Sequence, residues 1–205
     1  MMIAAAGADA VGLNFYSESS RCVSHIEANF ICQDLPRSIR RIGVFVNAPV
    51  DEIRSTYEQL HLDFVQLHGD ETLEFVKQLV GLPLIRAYRL RPANVEEIQR
   101  QIVEMRNSVT NLRAILLDAY DAEQFGGTGR QVDWNAVNQL GCRDDLPVVL
   151  AGGLNPETVG AAIEKVRPQA VDVASGVESA PGKKDRQLVE QFVAAASKAF
   201  EEFSG

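Results

Sequence analysis

Seven short runs of apolar, β-branched or aromatic residues recur along the chain, and segments with helix signals separate them. The runs cover residues 11–15, 42–46, 64–67, 84–88, 114–117, 148–150 and 171–173. Continuous apolar strands that alternate with helices are typical of a parallel sheet with both faces covered. The chain is therefore predicted to form an α/β fold, either an open doubly wound sheet or a closed barrel.

Residue types between the runs indicate where several helices begin. Ser24 and Glu27 have the spacing of a capping box, and Asp133 stands where it can cap the helix after the fifth run. Asn155 and Pro156 are predicted to be the cap and the first residue of a later helix.

The residues that follow the runs decide between the two kinds of sheet. Polar or glycine residues follow nearly every run: Asn14, His68, Asp118, Gly152, Gly153, Ser175 and Gly176. A site assembled from so many strand ends suits the carboxyl-end face of a barrel, whereas an open sheet binds mainly at one crevice. The length of 205 residues and the 46% hydrophobic content allow one substantial core. We predict a single (β/α)8 TIM-type barrel domain over residues 1–205.

The sequence before the first run is too short for a complete strand and helix, because only MMIAAAGADA precedes Val11. The barrel is therefore expected to be incomplete at the N-terminus, with strand one lacking and seven strands readable. The strands at 11–15 and 171–173 would each lose a neighbour and leave backbone groups unpaired along two edges. We expect Met1 to be an internal methionine of a longer gene product. The alternative is that the short chain is the natural product.

Charge and cysteine content argue against several classes of protein. The net charge is −8 at pH 7 and the basic residues are dispersed, so neither nucleic acid nor an anionic membrane is an expected partner. The longest apolar stretches are strand-sized, so no membrane span or secretory signal is expected. Cys22, Cys32 and Cys142 form no metal spacing and are odd in number, which indicates a reducing, cytoplasmic location without a metal site.

Two glycine-containing loops late in the sequence indicate a phosphate site. In LAGGLNPETV, Gly152 and Gly153 end a run just before a predicted helix, so backbone amides and a helix N-terminus could face an anion. In DVASGVESAPGKKD, Ser175 adds a hydroxyl and Gly176 allows close approach. The loops after the last two strands are the recurrent phosphate site of this barrel type. An ordinary helix-entry turn is the alternative for either glycine loop alone.

Alternation along the strands predicts which polar side chains point into the barrel. Gln66 and His68 share the face that looks into the barrel mouth, and the same count sends Asp118 and Asp172 inward. Asp118 also precedes a glycine-rich loop, GGTGR, which favours a functional role. The alternatives are a structural histidine at His68, a helix cap at Asp118 and a buried polar tether at Asp172.

Six segments of the sequence resemble phosphoribosylanthranilate isomerase of tryptophan biosynthesis, in order from about Gly7 to the end. They are VGLNFYSESSR, RIGVFVN, FVQLHGDE, ILLDAYDAEQFGGTGRQVDW, LAGGLNPETV and VDVASGVESAPGKKD. The fourth and sixth are the most specific, because other phosphate-binding barrels have the glycines without them. A ribulose-phosphate epimerase would use metal ligands, which His68, Asp118 and Asp172 could supply, but it has no counterpart of GGTGRQVDW.

The resemblance implies an Amadori rearrangement of N-(5'-phosphoribosyl)anthranilate to 1-(2-carboxyphenylamino)-1-deoxyribulose 5-phosphate, without metal or organic cofactor. It places the general acid at Asp118 and the partner of the anthranilate carboxylate at Arg21, for which a solvated loop arginine is the alternative. The other expected substrate-binding residues are His68, Gly152, Gly153, Asp172, Ser175 and Gly176. The expected partner is a small sugar-phosphate substrate, and the chain is expected to be a monomer or a homodimer.

The general base of the family is a cysteine in a Lys-Ile-Cys-Gly segment at the end of strand one, and the residues before Val11 do not match that segment. Cys22 and Cys32 are interpreted as small buried thiols rather than as replacements. Turnover by the chain as written is therefore expected to be nearly absent, although a phosphorylated product analogue would still bind. The alternative function is a non-catalytic remnant that binds sugar phosphates or a partner.

Overall fold

The computed structural model describes residues 2–119, 133–141 and 146–203. Its strands are β1 (Ala10–Asn14), β2 (Arg40–Phe45), β3 (Phe64–Leu67), β4 (Leu84–Leu90), β5 (Leu112–Ala119), β6 (Val148–Leu150), β7 (Ala170–Val171), β8 (Glu178–Ala180) and β9 (Lys183–Lys184). Its helices are α1 (Met2–Ala5), α2 (His25–Asp34), α3 (Val50–Leu60), α4 (Leu73–Lys77), α5 (Val95–Ser108), α6 (Trp134–Gln139), α7 (Val159–Val166) and α8 (Arg186–Phe203). Single turns of 3-10 helix lie at Pro92–Asn94 and Ser175–Val177.

Strands β1 to β7 form one sheet in which every pairing is parallel and every strand lies beside its neighbour in sequence. All seven predicted runs are therefore strands, with ends that differ by up to two residues. In the described part of the chain, β1 and β7 are the two edges, as the sequence predicted. The loop after β1 covers one end of its edge, since the backbone N–H of Val23 donates to the carbonyl oxygen of Asn14 at 2.9 Å.

Two apolar clusters show that the sheet curls into the wall of a barrel. The outer faces of the strands pack on the helices through residues such as Val65, Leu67, Leu117 and Leu150. The inner cluster comprises Ile85, Ala87, Ala114, Leu116 and Ala151, with Ile42, Phe64 and Val149 packed against it. Side chains of five different strands or strand ends thus meet on the concave face, as in a TIM-type barrel.

The inner face of the sheet is exposed to solvent beside the two edge strands. Gly12 of β1 and Asp172 after β7 point to the concave side, because their neighbours Leu13, Val171 and Val173 pack in the outer cluster. Both inward residues are exposed to solvent. Water therefore reaches the interior between the edges.

The predicted caps are confirmed in two cases and displaced in one. Ser24 and Glu27 form a full capping box at α2, and Asp133 accepts hydrogen bonds from the backbone amides of Asn135 and Ala136 in the first turn of α6. Asn155 caps a turn rather than α7: its side-chain oxygen accepts from the amides of Glu157 and Thr158, both at 2.9 Å. The prediction that the helix begins at Asn155 and Pro156 is wrong by about three residues, because that turn precedes Val159–Val166.

A hairpin that the sequence did not predict lies between the final parallel strand and the last helix. A 3-10 turn at Ser175–Val177 leads into the antiparallel pair of β8 and β9, and α8 begins at Arg186. The hairpin strands have three and two residues, which is too short to produce a recognisable alternation of apolar and polar positions.

A buried ion pair between Arg86 and Glu71 fixes the loop that follows β3. Arg86 donates to the Glu71 carboxylate and to the carbonyl oxygens of Leu67, Gly69 and Glu71. The same carboxylate accepts from the backbone amides of Asn47 at 2.8 Å and Gly69 at 3.1 Å. Because His68 lies between Leu67 and Gly69, these contacts determine where its backbone sits.

Replacing Glu71 by Ala should lower the free energy of unfolding by about 3 to 5 kcal/mol, since it leaves a buried guanidinium and two amides without their acceptor. The matched control is Glu74→Ala, because Glu74 pairs with Lys77 on the surface and its side chain is 79% exposed. This control should change stability by less than about 1 kcal/mol. Urea unfolding followed by circular dichroism gives both values, and equal effects would contradict the prediction.

Candidate active site

The register of β5, β6 and β7 places three inward residues in one row at the carboxyl ends of the strands. Leu117 pairs with Leu150, which pairs with Val171. The residues that follow these pairs continue the pattern of hydrogen bonds. The backbone amide of Ala151 donates to the carbonyl oxygen of Leu117 at 2.9 Å, and that of Asp172 donates to the carbonyl oxygen of Leu150 at 2.8 Å. Asp118, Ala151 and Asp172 therefore lie side by side, directly below the two glycine loops.

His68 brings β3 into contact with this row. Its Nε2 atom lies 3.3 Å from Oδ2 of Asp118, and its Nδ1 atom lies 3.0 Å from the amide nitrogen of Gln66. An amide nitrogen can only donate, so Nδ1 accepts and the ring proton is on Nε2, facing Asp118. This contact is electrostatic, because Nε2 has no aligned hydrogen bond among the described residues. A buried donor without an aligned acceptor is uncommon in folded proteins, and a catalytic role is one of its recognised explanations.

The two aspartates of the row differ in their surroundings. Asp118 is buried, with 6% of its surface exposed, whereas Asp172 is exposed. Removal of water by the surrounding protein is the main cause that raises the pKa of Asp172, and the charge of Asp118 is the second. The charges of Lys184 and His68 oppose that rise. Both inward carboxylates predicted from the alternation are thus found near one histidine, but Asp172 is not the buried tether considered as its alternative.

The glycine loops above the row touch each other. Gly152 and Gly153 have φ values of 85° and 67°, a left-handed conformation that favours glycine. A Cβ atom on Gly176 would overlap the carbonyl group of Leu154 and press on Asn155. The backbone of one loop therefore lies directly on the backbone of the other, which requires glycine at 176. The amides of two successive strand ends are brought into one place.

Arg21 is partly buried and paired with a carboxylate. Its Nε donates to the two carboxylate oxygens of Glu178 at 3.0 and 3.1 Å, and its Nη2 donates to Oε2 at 2.8 Å. Lys184 donates to the same carboxylate at 3.0 Å. The sequence interpretation missed Glu178 and Lys184 as partners of Arg21, although both lie in the SGVESAPGKKD segment on which the family resemblance partly rests. A separation of 157 residues between Arg21 and Glu178 leaves no local spacing signal for their pairing.

Comparison with known proteins decides what this arrangement belongs to. The family model described as N-(5'phosphoribosyl)anthranilate (PRA) isomerase matches residues 1–195. The curated N-(5'-phosphoribosyl)anthranilate isomerase of Acinetobacter calcoaceticus is 42% identical over 193 residues, covering 92% of this chain and 86% of the relative. That of Rubrobacter xylanophilus is 42% identical over 200 residues, covering 96% and 92%. The chain belongs to the phosphoribosylanthranilate isomerase family.

Solved structures of the family agree with the fold. The crystal structure of phosphoribosylanthranilate isomerase from Thermotoga maritima superposes with a TM-score of 0.83 at 38% identity, covering 96% of this chain and 92% of that one. A phosphoribosylanthranilate isomerase in complex with reduced 1-(o-carboxyphenylamino)-1-deoxyribulose 5-phosphate has a TM-score of 0.79 at 37% identity, with 96% and 91% covered. The predicted barrel-type α/β fold and the predicted isomerase of tryptophan biosynthesis are confirmed at the level of the family.

Other predictions about the site have mixed outcomes. Cys32 is buried, but Cys22 is exposed, so its interpretation as a buried thiol is wrong. Cys142 and the GGTGR loop after Asp118 lie outside the described residues. Among the described residues, no cluster of His, Cys, Asp or Glu side chains could hold a metal ion. No described helix is long and apolar enough to cross a membrane.

Replacing Gly176 by Ala should separate the two loops, because the added methyl group meets backbone that cannot rotate away. We expect a loss of about 1 to 3 kcal/mol in stability. Gly160→Ala is the control, since a Cβ there meets nothing within 4 Å and Ala favours helix α7. Thermal unfolding, with and without inorganic phosphate, measures the stability of both variants. Equal stability of Gly176→Ala and Gly160→Ala would contradict the prediction.

Replacing Gln66 by Met should weaken the preference of His68 for the tautomer with its proton on Nε2, because Met fills similar space but donates no hydrogen bond to Nδ1. In the unmodified chain, long-range ¹H–¹⁵N correlation spectra should show the proton on Nε2. In Gln66→Met that preference should weaken. A proton on Nδ1 in the unmodified chain would show that the contact between Gln66 and His68 has been assigned incorrectly.

Proposed function

We propose that this chain binds N-(5'-phosphoribosyl)anthranilate at the carboxyl ends of the strands and that Asp118 is the general acid of its isomerisation. One observation carries the assignment: a buried carboxylate faces His68 at 3.3 Å and lies in register below two glycine loops that touch. Membership of the family supplies the reaction, and the row of inward residues supplies a place for it.

The glycine loops are suited to the phosphate end of the substrate. Gly152 and Gly153, in left-handed conformations, are proposed to offer their backbone amides to the phosphate, and Ser175 and Gly176 would add a hydroxyl and a close approach from the adjoining loop. Backbone amides at loops of this kind bind phosphate groups. Phosphate binding here would place the sugar over Asp118 and Asp172.

The reaction needs only proton transfers. Asp118 donates a proton to the ring oxygen of the furanose, the bond from that oxygen to C1' breaks, and C1' forms a Schiff base with the anthranilate nitrogen. A base then removes the proton from C2', and the resulting enol becomes the ketone. The Nε2–H group of His68 is placed to stabilise the carboxylate that Asp118 becomes after its donation. We assign the general base to no described residue.

The remaining binding roles follow from charge and position. Arg21 is proposed to bind the anthranilate carboxylate, and Asp172 is proposed to accept hydrogen bonds from sugar hydroxyls. The odd number of cysteines and the absence of disulfide bonds among the described residues are consistent with action in the cytoplasm. We further propose that the chain acts as a monomer or a homodimer, with a small sugar phosphate as its partner.

In a chain extended at its N-terminus by the Lys-Ile-Cys-Gly segment of the family, replacing Asp118 by Asn should abolish turnover and spare ligand binding, because the amide keeps the size of the carboxyl group but cannot donate an acidic proton. Turnover is followed by the fluorescence of the anthranilate group. Affinity for reduced 1-(o-carboxyphenylamino)-1-deoxyribulose 5-phosphate is measured by calorimetry and should change by less than about threefold, since Asn keeps the size and polarity of the protonated carboxyl group.

The control is Asp51→Asn, because Asp51 is an exposed residue in the first turn of α3. It should leave both turnover and affinity unchanged. Turnover that persists in Asp118→Asn would remove Asp118 from the acid role. Binding without any turnover by the extended chain with Asp118 intact would favour the alternative function of a sugar-phosphate-binding protein.

A further inference from the structure

The guanidinium group of Arg21 is held along one edge only. All three of its hydrogen bonds to Glu178 come from Nε and Nη2, at 2.8 to 3.1 Å. Among the described residues, Nη1 makes no hydrogen bond, and the Arg21 side chain is 21% exposed. A guanidinium can bind one carboxylate along the Nε and Nη2 edge and a second along the Nη1 and Nη2 edge. The second edge is therefore available to a ligand.

The carboxylate that holds Arg21 is itself fixed. The Glu178 side chain is 4% exposed, and Lys184 donates to its Oε1 at 3.0 Å. Lys184 also donates to the carbonyl oxygen of Ala174 at 2.8 Å, just before the Ser175 loop. Burial raises the pKa of Glu178, but hydrogen bonds from Arg21 and Lys184 outweigh burial and hold it below the usual 4.5. Glu178 is thus an ionised, anchored acceptor at neutral pH.

The charges of this group leave room for another anion. One carboxylate lies between two cations, so Arg21, Glu178 and Lys184 together carry a net charge of about +1 at neutral pH. A carboxylate that arrives at the free edge of Arg21 meets a net positive group rather than a neutral pair. Without Glu178, the arginine would be free to adopt many rotamers, and ligand binding would have to order it.

The hairpin of β8 and β9 connects this group to the phosphate loops. Glu178 begins the hairpin immediately after the 3-10 turn Ser175–Val177. At the turn of the hairpin, a Cβ on Gly182 would lie 3.1 Å from the carbonyl oxygen of Ser20, so the hairpin rests on the loop that carries Arg21. The segment that forms the second glycine loop therefore also fixes the position of Arg21.

We propose that Glu178 is a positioning residue that holds Arg21 by one edge so that the other edge binds the carboxylate on the aromatic ring of the substrate. The inference rests on the proposed function and adds to it a residue that fixes the distance between the two anionic ends of the ligand. Glu178 does not touch the substrate. It acts by ordering Arg21 before the ligand arrives.

The experiment compares two ligands by calorimetry. One is reduced 1-(o-carboxyphenylamino)-1-deoxyribulose 5-phosphate, and the other is the same compound with a phenyl ring in place of the carboxyphenyl ring. Glu178→Gln should weaken binding of the first ligand by about two- to tenfold, the range for losing the order of one long side chain. It should leave affinity for the second unchanged. Glu190→Gln, which breaks an exposed pair with Arg186, is the control and should change neither affinity.

A second background tests whether the effect passes through Arg21. In Arg21→Gln, adding Glu178→Gln should cause no further loss for the carboxylated ligand. If Glu178→Gln does not fold by circular dichroism, Glu178→Asp takes its place. It keeps the charge but withdraws the carboxylate by one methylene, and it should show the same selective loss.

Three results would overturn the inference. An equal loss for both ligands would make Glu178 merely structural, and tighter binding of the carboxylated ligand by Glu178→Gln would make it a competitor for Arg21. A selective loss that persists in the Arg21→Gln background would place the carboxylate elsewhere. Failure of the unmodified chain to bind either ligand is a separate outcome, because it overturns the proposed function and this inference together.

Discussion

The parallel hydrogen-bonded register of β5, β6 and β7 is the constraint on which the rest of the site depends. It places Asp118 level with Asp172, and it puts both below the loops that continue from β6 and β7. Because side chains alternate along each strand, a shift of one residue would turn Asp118 toward the helices. The two apolar residues that precede it, Leu116 on the inner face and Leu117 on the outer face, make that shift costly.

Electrostatics then differentiate groups that the register has brought together. His68 offers a proton-bearing nitrogen to Asp118 because Gln66 occupies its other nitrogen. Lys184 acts on both sides: it opposes the rise in the pKa of Asp172 and donates to Glu178. In a chain with a net charge of −8, the cations Arg21 and Lys184 thus share one carboxylate beside the loop that carries Ser175.

The sequence was most informative where local patterns carry the physics. Apolar runs predicted all seven parallel strands, and alternation predicted the inward positions of His68, Asp118 and Asp172. It was least informative where contacts are distant or elements are short. The pair of Arg21 and Glu178 spans 157 residues, and the β8–β9 hairpin has five strand residues, so neither leaves a periodic signal. The helix that was predicted to begin at Asn155 begins later. An Asn side chain can cap an isolated turn as well as a helix, and here Asn155 caps the turn before α7.

By itself the sequence determined the order of strands and helices, the face on which each polar residue lies and the family to which the motifs point. These follow from nearest-neighbour preferences and from periods of 2.0 and 3.6 residues. Only the tertiary structure decided which groups touch: Gln66 with His68, Gly176 with Leu154, and Arg21 with Glu178. Those contacts join separate strands and loops, and their geometry depends on the twist and closure of the whole sheet rather than on any segment alone.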